Sequence, residues 1–541
     1  MQNTMQLSYP VTLRCIAHDF SPVSDAVIHQ SSGEYALSDS QKTDVLCAFL
    51  RDQNSNCSRL IVNDNSAARK SNPSKYHLYS PQFNGGYFQG TVGTVHGQFS
   101  YELSPEIRLD VSLELQIKSR MDKRRTYFLS TLLLSRSGLR LSNDTVPSSD
   151  DHIFDYLLVL RFRQQLRQAY LKGVFRAYRT FQKNDSRPRG MIDIPAHLRL
   201  NLGQDNGCIA SRYRERSIRN NLNRLVVFCY GYLKQKHPLF VEENFDTNQD
   251  LLQLIKQLSS SVGVNKLKRA QAVAIAQKPI PHPYFIEYEA LRKTCAMILR
   301  NEGVSLFDQT TSTHISGILF YLPGLWELYL KDVFLEQVIA CSNDTLFLHD
   351  QYEVKLLEGA GTAYPDFVFS YLDTSESAND AEGSKREKYV NFAILDAKFK
   401  PGWIDVFFRK SLSFLWDDFD KCLRDKTVTG SFWSGVIYPV LKAEFPEPDP
   451  GENYFPEDRL RLSISSQNHI DKFYQFPVII PNDVPDDGAD TTEIEYQDWL
   501  NQFQQSVRRT CKSLLGILSR ERDFHQRINA VLEQALASRS L

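Results

Sequence analysis

The stretch "FAILDAKFK", residues 392–400, decides how the chain is read. Its residues are apolar enough for a buried strand, yet it carries Asp396 and Lys398, two groups that are costly to bury without partners. Alternation along a strand sends Phe392, Ile394, Asp396 and Lys398 to one face and Ala393, Leu395, Ala397 and Phe399 to the other. With both faces largely apolar, the run fits a central strand covered on both sides. Its acid and lysine fall at the C-terminal end, where a polar cleft can open.

Upstream lies "YPDFVFSYL", a second strand opened by Pro365-Asp366. If the two strands pair, Asp366 meets Asp396, and the intervening "DTSESANDAEGSKREK" is an exposed loop at the far side. Farther back, "HISGILFYLPGLWELYLKDVFLEQVIA" reads as an apolar helix with Glu327 in its first apolar stretch. Downstream, "SLSFLWDDFDKCLRD" reads as a helix carrying Lys421, and "FWSGVIYPVL" as another strand. Two carboxylates and an ammonium thus converge. Carboxylates suit Mg²⁺ or Mn²⁺, hard cations that take oxygen ligands and keep several waters. Such an ion lowers the pKa of its water and neutralises a phosphate under attack, while a lysine orients the nucleophile or stabilises the transition state. Glu327 is a further ligand or water anchor, and Lys421 faces the same cleft. An acid-x-Lys triplet alone carries little, since Glu353-Val354-Lys355 has the same form; the ordered set carries the weight. The competing structural reading is a partly buried Asp396–Lys398 ion pair.

The chain has 541 residues, too many for one hydrophobic core, so roughly two to four domains are expected. Hydrophobic residues at 42% and charged residues at 23% are ordinary for a soluble globular protein. No apolar run approaches the ~20 residues of a membrane span, and "MQNTMQLSYPVTLRC" lacks the layout of a secretory signal. Nine cysteines without a CxxC pair indicate reduced, mostly buried thiols, so a cytoplasmic protein is expected.

Charge balances overall, with 63 basic and 64 acidic residues, but not locally. From Arg161 to Gly190, nine basic residues (Arg161, Arg163, Arg167, Lys172, Arg176, Arg179, Lys183, Arg187, Arg189) face one acid, Asp185. "SRYRERSIRNNLNR" adds Arg212, Arg214, Arg216, Arg219 and Arg224 against Glu215. Such clusters contact phosphates or an acidic partner, or form a solvated helix face. Residues 1 to 150 alternate as strands, notably in "YFQGTVGTVHGQFSYEL" and "IRLDVSLELQIKS", and end in a loop, "SNDTVPSSDD". From Ile153 the period becomes helical, through Leu157, Leu160, Leu166, Tyr170, Val174, Phe175 and Tyr178.

The order of helix, Pro-Asp strand, Asp-x-Lys strand, helix and strand resembles the PD-(D/E)XK nuclease superfamily over about residues 315 to 440. That resemblance makes Asp366 and Asp396 metal ligands and Lys398 the catalytic lysine, with Glu327 in the place of the first core helix's acid. Lys421 stands where a Gln or Lys points into the site, although Asp425 replaces the usual aromatic one turn later. A narrower resemblance runs through "GVFRAYRTF", "RGMIDIPAHLRLNL" (Arg189, Gly190, Ile192, Asp193, His197, Asn201) and "RYRERSIRNNLNRLV" (Asn223, Arg224). These are similar to McrC-type subunits of McrBC modification-dependent (5-methylcytosine) restriction systems. The resemblance implies an endonuclease subunit that cuts double-stranded DNA beside a separate, McrB-like AAA+ NTPase and stimulates its hydrolysis. No GxxxxGK[ST] motif occurs in the chain itself. Arg161, Arg163, Arg176, Arg179, Arg189, Arg212 and Arg214 are the expected contacts to nucleic acid or partner. For "RGMIDIPAHLRL" the structural reading is a scaffold turn with a satisfied His197. Two alternatives stay open: a catalytically inactive adaptor of the NTPase, and a stand-alone DNA repair nuclease.

The expected fold is therefore multidomain α+β. A β-rich N-terminal domain spans 1–150, and a helical, arginine-rich middle spans 151–309. A C-terminal α/β PD-(D/E)XK restriction-endonuclease-like core with a mixed sheet and a closing helix spans 310–541.

Overall fold

The computed structural model describes residues 7–57, 61–62, 90–123, 125–134, 150–204, 206–245, 249–262, 267–280, 286–300, 304–307, 314–339, 346–350, 354–355, 362–373, 388–408, 415–445, 455–466, 469–483 and 494–539. The expected loops at 374–387 and 142–149 lie outside these residues. The protein is a multidomain α+β molecule with several mixed sheets. Its contacts divide it into two compact units, one gathering Met1–Gly138 and Ser305–Leu541, the other holding Asp151–Val304. One boundary between the units falls near residue 150. The 1–150 and 310–541 segments share one unit, because a strand from the second completes the sheet of the first.

Among the described residues that sheet has seven strands. Leu7–His18 lies between Val27–Gly33 and Ile107–Lys118, and the hairpin partner Thr91–Ser104 pairs onward with His314–Tyr321. Alternation works as expected in Ile107–Lys118, where Leu109, Val111, Leu113, Leu115 and Ile117 are all buried. Gly97, on Thr91–Ser104, leaves room for the ring of Phe49; a Cβ there would overlap it. His314–Tyr321 was expected as the start of a helix and is a strand. Its apolar run is short, and Pro323 fixes the helix start at Leu322, leaving the preceding residues to pair with Thr91–Ser104. The helix proper, Leu322–Val333, continues as a wider π turn over Phe334–Ile339.

The second sheet of this unit runs in the order Phe347–Asp350, Phe367–Asp373, Lys388–Ala397, Trp433–Leu441, His469–Ile480, Arg461–Ser466. Lys388–Ala397, Trp433–Leu441 and His469–Ile480 are parallel neighbours; the other pairs are antiparallel. Every residue of Trp433–Leu441 is buried, as a central strand covered on both sides requires. Helices Leu322–Val333, Trp416–Thr429 and Tyr496–Arg539 pack on the sheet. The last docks through Trp499, Phe503, Val507, Leu514 and Leu518, at helical spacing, and through polar bonds that satisfy the adjacent backbone. Ser506 Oγ accepts from Ile479 N at 2.8 Å, and Trp499 Nε1 donates to Pro481 O at 2.9 Å.

The other unit packs helices Asp150–Leu171, Asn221–Lys236, Pro238–Phe245, Gln249–Val262, Arg269–Ala276 and Ile286–Arg300 around Phe162, Leu225, Val226, Cys229, Phe240, Phe245 and Leu291. The helical period expected through Tyr178 stops at Leu171, where Gly173 adopts φ +85°. Beyond it, Ala177–Asp185 is a strand in a three-stranded sheet with Ile209–Ser217 and Met191–Ile192. Among the described residues no helix is long and apolar enough to cross a membrane.

Candidate functional site

Strand register brings the acids together. Phe367 pairs with Leu395, so Asp366, one residue before the strand, falls opposite Asp396. The Ala397 N–H donates to Asp366 Oδ2 at 2.8 Å, tying that carboxylate to the end of the neighbouring strand. Lys398 N–H donates to Ile437 O at 2.9 Å, so the chain stays aligned with its parallel neighbour past the last strand residue. Asp396 and Lys398 are thereby held on one face at the C-terminal end of Lys388–Ala397, as alternation requires.

Asp396 is deeply enclosed, its side chain 4% exposed. One of its oxygens pairs with Lys398 and the other with Lys421. Lys421 Nζ also stands 3.6 Å from Asp366 Oδ1 and 3.9 Å from Asp425 Oδ2. Lys398 Nζ has a second acid, Asp418 Oδ1, at 3.3 Å, which Lys400 shares at 3.2 Å. The helix Trp416–Thr429 places Asp418, Lys421 and Asp425 three and four residues apart, hence on one face, and all three reach the cleft.

The electrostatics separate the two central acids. Burial pushes Asp366 well above the ordinary carboxylate range, and the Asp396 charge adds to the push; Lys421 opposes it and Glu327 reinforces it. Burial works in the same direction on Asp396, but Lys398 and Lys421 outweigh it and hold that carboxyl below the usual range. Burial acts to lower Lys398 and Lys421, and the facing carboxylates raise both instead. Asp425 is raised, chiefly by burial. The pair is thus one easily ionised carboxylate beside one that resists ionisation unless a cation approaches.

A divalent ion fits this donor set. The ammonium of Lys421 lies between Asp366 Oδ1 and Asp396 Oδ1, a cation already standing between the two carboxylates, and with its side chain 32% exposed it has room to withdraw. Among the described residues no three His, Cys, Asp or Glu side chains form a cage by themselves. Two carboxylates alone are donors of the kind a hard divalent ion takes alongside waters. Glu327, partly buried on Leu322–Val333, is near enough for its charge to act on Asp366 but does not complete such a cage.

Sequence reasoning passed over Asp418 as an anchor of Lys398 and treated Asp425 only as a missing aromatic. The signal was present: Asp418, Lys421 and Asp425 in "DDFDKCLRD" share one helical face, and two of them are acids less than 10% exposed.

The expected arginines distribute differently. Arg161 and Arg163 lie on the helix Asp150–Leu171, Arg161 exposed and Arg163 half-buried. Arg176, Arg179, Arg189, Arg212 and Arg214 are exposed, on or beside the three-stranded sheet. Pairing of Tyr178 with Arg216, Thr180 with Arg214 and Gln182 with Arg212 puts three arginines on one face. Arg214 and Arg216 lie over the Tyr178 ring at 5.7 and 5.3 Å. The motif residues around them have structural tasks. Gly190 takes φ +74°, where a Cβ would meet Arg212 O at 2.7 Å. Asp193 caps the helix Ile194–Asn201, accepting from Ala196 N at 3.2 Å. Asn201 donates to Cys208 O at 2.9 Å and exchanges bonds with Asn184, while His197 Nδ1 lies 2.7 Å from its amide nitrogen. Asn223 Nδ2 donates to Phe175 O and Ile218 O at 2.9 and 2.8 Å.

Fold and site define an α+β protein with a buried acid-and-lysine cluster at a strand end of a mixed sheet, joined in sequence to a helical unit bearing an arginine face. A family model described as "McrBC 5-methylcytosine restriction system component" matches residues 102–405, more than half of the chain. The chain belongs to that family, and the matched span includes Asp366, Asp396, Lys398 and the arginine-bearing segments. Among solved structures, it is similar to a half-complex from the tetradecameric assembly of Thermococcus gammatolerans McrB AAA+ hexamers with bound McrC. That match has 12% identity and a TM-score of 0.40, over 93% of this chain and 100% of the other. A second match is the Thermococcus gammatolerans McrBC complex, at 13% identity and a TM-score of 0.26, over 60% of this chain and 87% of the other. No curated protein matches the chain.

Proposed function

We propose that this chain is the Mg²⁺-dependent DNA endonuclease subunit of a restriction system that defends against phage, working in the cytoplasm with a McrB-like AAA+ NTPase whose hydrolysis it stimulates. The observation that carries the reading is the meeting of Asp366, Asp396 and Lys398 at one strand end, 30 positions apart in sequence for the acids (396 − 366 = 30) and opposite in register. This meeting supports the resemblance to the PD-(D/E)XK superfamily. A divalent ion bound there, Mg²⁺ or Mn²⁺, would supply an activated water and neutralise charge on the phosphate.

Asp366 and Asp396 would hold that ion, Asp396 as the carboxyl that Lys398 and Lys421 keep below the usual range and Asp366 as the one that burial pushes up. Lys398, kept in place by Asp396 and by Asp418 at 3.3 Å, would orient the nucleophile and donate to a phosphate oxygen. Lys421 neutralises the pair in the ion's absence. Glu327 would anchor a water rather than complete the ligand set. The exposed arginines at 176, 179, 189, 212 and 214, with Arg161 and Arg163, are the proposed contacts to double-stranded DNA or to the NTPase.

The test uses the chain with its NTPase partner, Mg²⁺ and DNA. Wild type should cut, and D396N or K398A should not, while each still stimulates nucleotide hydrolysis. Full cleavage by either variant removes the assignment. Survival of all defence in a D366A/D396A/K398A triple variant would instead favour the adaptor reading.

A further inference from the structure

The two sheets of the unit that carries the carboxylate pair touch just past Lys398. Leu7–His18 and Ile107–Lys118 are parallel neighbours whose last residues, His18 and Lys118, lie side by side. The chain beyond each strand therefore emerges at the same end of that sheet. Asp19 N–H donates to Lys118 O at 2.9 Å, and Arg120 N–H donates to Asp19 Oδ1. The other oxygen of this buried carboxylate stands 4.0 Å from Arg120 Nε, so the guanidinium is held beside its counter-charge.

Arg120 reaches from there to the second sheet. A terminal nitrogen donates to Phe399 O at 2.6 Å, a charge-assisted bond to the residue after Lys398. The guanidinium lies over the rings of Phe399 and Phe20, at 5.3 and 5.7 Å. The Phe399 ring packs in turn against Phe20 and Phe128, with centroids 6.2 Å apart in each case. Carbonyl and side chain of Phe399 are thus both fixed by residues of the N-terminal segment.

The bond falls where the second sheet's own ladder gives out. Lys388–Ala397 pairs with Trp433–Leu441 as far as Ala397, and Lys398 N–H makes the last bond, to Ile437 O. Phe399 has no strand neighbour among the described residues, so Arg120 supplies the next anchor. Lys398 then has a held peptide on each side. Its ammonium rides on a flexible stem, and a fixed backbone is what lets Asp396 and Asp418 aim it.

A second observation points to the same place. Phe20, at φ +57°, is the single residue other than glycine with a positive φ among the described residues. Phenylalanine seldom takes that conformation, and such strain persists where the surrounding structure over-determines it, chiefly at functional sites. Here it lays the Phe20 ring against Arg120.

We propose that Arg120 is a positioning residue for the reaction: by clamping Phe399 it fixes the backbone that carries Lys398, and so ties the N-terminal sheet to cleavage. The inference rests on the nuclease reading of Asp366, Asp396 and Lys398, and adds to it a residue that acts through Lys398.

The experiment compares the wild-type chain with R120M/D19N and R120K, each with the NTPase partner, Mg²⁺ and DNA. Replacing both members of the buried pair together leaves no stranded charge, so the fold tolerates the double change. R120M/D19N should lose about 10–100-fold in kcat, with KM for DNA and Mn²⁺ affinity unchanged. R120K, which keeps the pairing with Asp19 and a donor for Phe399 O, should lose far less. An arginine with only a structural task would lower kcat and Mn²⁺ binding together, or lower neither, and either result overturns the inference. If R120M/D19N cuts as wild type does while D396N does not cut, the positioning role fails and the nuclease reading stands. If the wild-type chain cuts no DNA, the nuclease reading fails and takes the positioning role with it.

Discussion

Lys398 and Arg214 are both cations on or just past strands, and their surroundings differ at every point. Lys398 is 11% exposed in its side chain and lies between Asp396 and Asp418, in a cleft where three lysines meet four acids. Arg214 is exposed and stands in a row with Arg212 and Arg216, against the ring of Tyr178. Buried charge needs counter-charge, so removing one member of the cleft strands the others. Exposed charge is solvated already, so the arginine face is replaceable without cost to folding and is available to an anionic partner. The first region holds its charges by pairing inside the molecule, the second leaves them to solvent.

That contrast breaks most readily at Asp396. D396N should abolish Mg²⁺-dependent cleavage, by about a thousandfold or more. It should also destabilise the unit by about 3–5 kcal/mol, because Lys398 and Lys421 lose their shared carboxylate. Denaturant melts and cleavage gels check both, and a fully stable D396N would mean that the cleft charges are not interdependent.

Asp19 sharpens the comparison from within the buried class. It is 1% exposed and has one arginine near it, not two ammonium groups, and burial pushes its carboxyl up to about 6 against the Arg120 charge. A raised folded-state value gives stability that is complete below 3.8 and lost as pH rises through about 6. The span, 6 − 3.8 = 2.2 units, corresponds to about 3 kcal/mol. Wild type should therefore lose about that much relative to D19N between pH 4 and pH 7 (approximate window ends), measured by urea unfolding at each pH. A constant difference would show that Asp19 is as well paired as Asp396.

A smaller effect belongs to Asp418. D418N should lower kcat about 10–100-fold with KM little changed, since it positions Lys398 without touching substrate. The smallest stability effect belongs to the arginine face. R212A/R214A/R216A should shift unfolding by no more than about 0.5 kcal/mol. It should lower the slope of DNA affinity against salt by about 3, or abolish stimulation of the NTPase. A large loss of stability there would erase the contrast.

The cleft was legible in the sequence for the reason that makes it fragile. Asp396 and Lys398 stand out because they interrupt an apolar strand, and Pro365-Asp366 marks the strand start that faces them. Asp418 and Asp425 were less visible because acids on an exposed-looking helix are common; only the packing of Trp416–Thr429 against the sheet turns that face inward. The strand His314–Tyr321 was misread because a short apolar run does not distinguish strand from helix, and its partner, Thr91–Ser104, is more than 200 positions away (314 − 104 = 210). The start of the strand Ala177–Asp185 was read as helix for a related reason. Ala177–Asp185 is exposed along most of its length, so no buried face imposes a period of two on its residues.

The most direct test of the central claim is Mn²⁺ binding, followed by electron paramagnetic resonance, to the K398A chain mixed with duplex DNA so that nothing is cut. The account predicts protein-dependent binding of the ion that disappears when D366N is added and strengthens when Lys421→Ala removes the resident ammonium. Equal Mn²⁺ binding with and without the Asp366 carboxylate would contradict it.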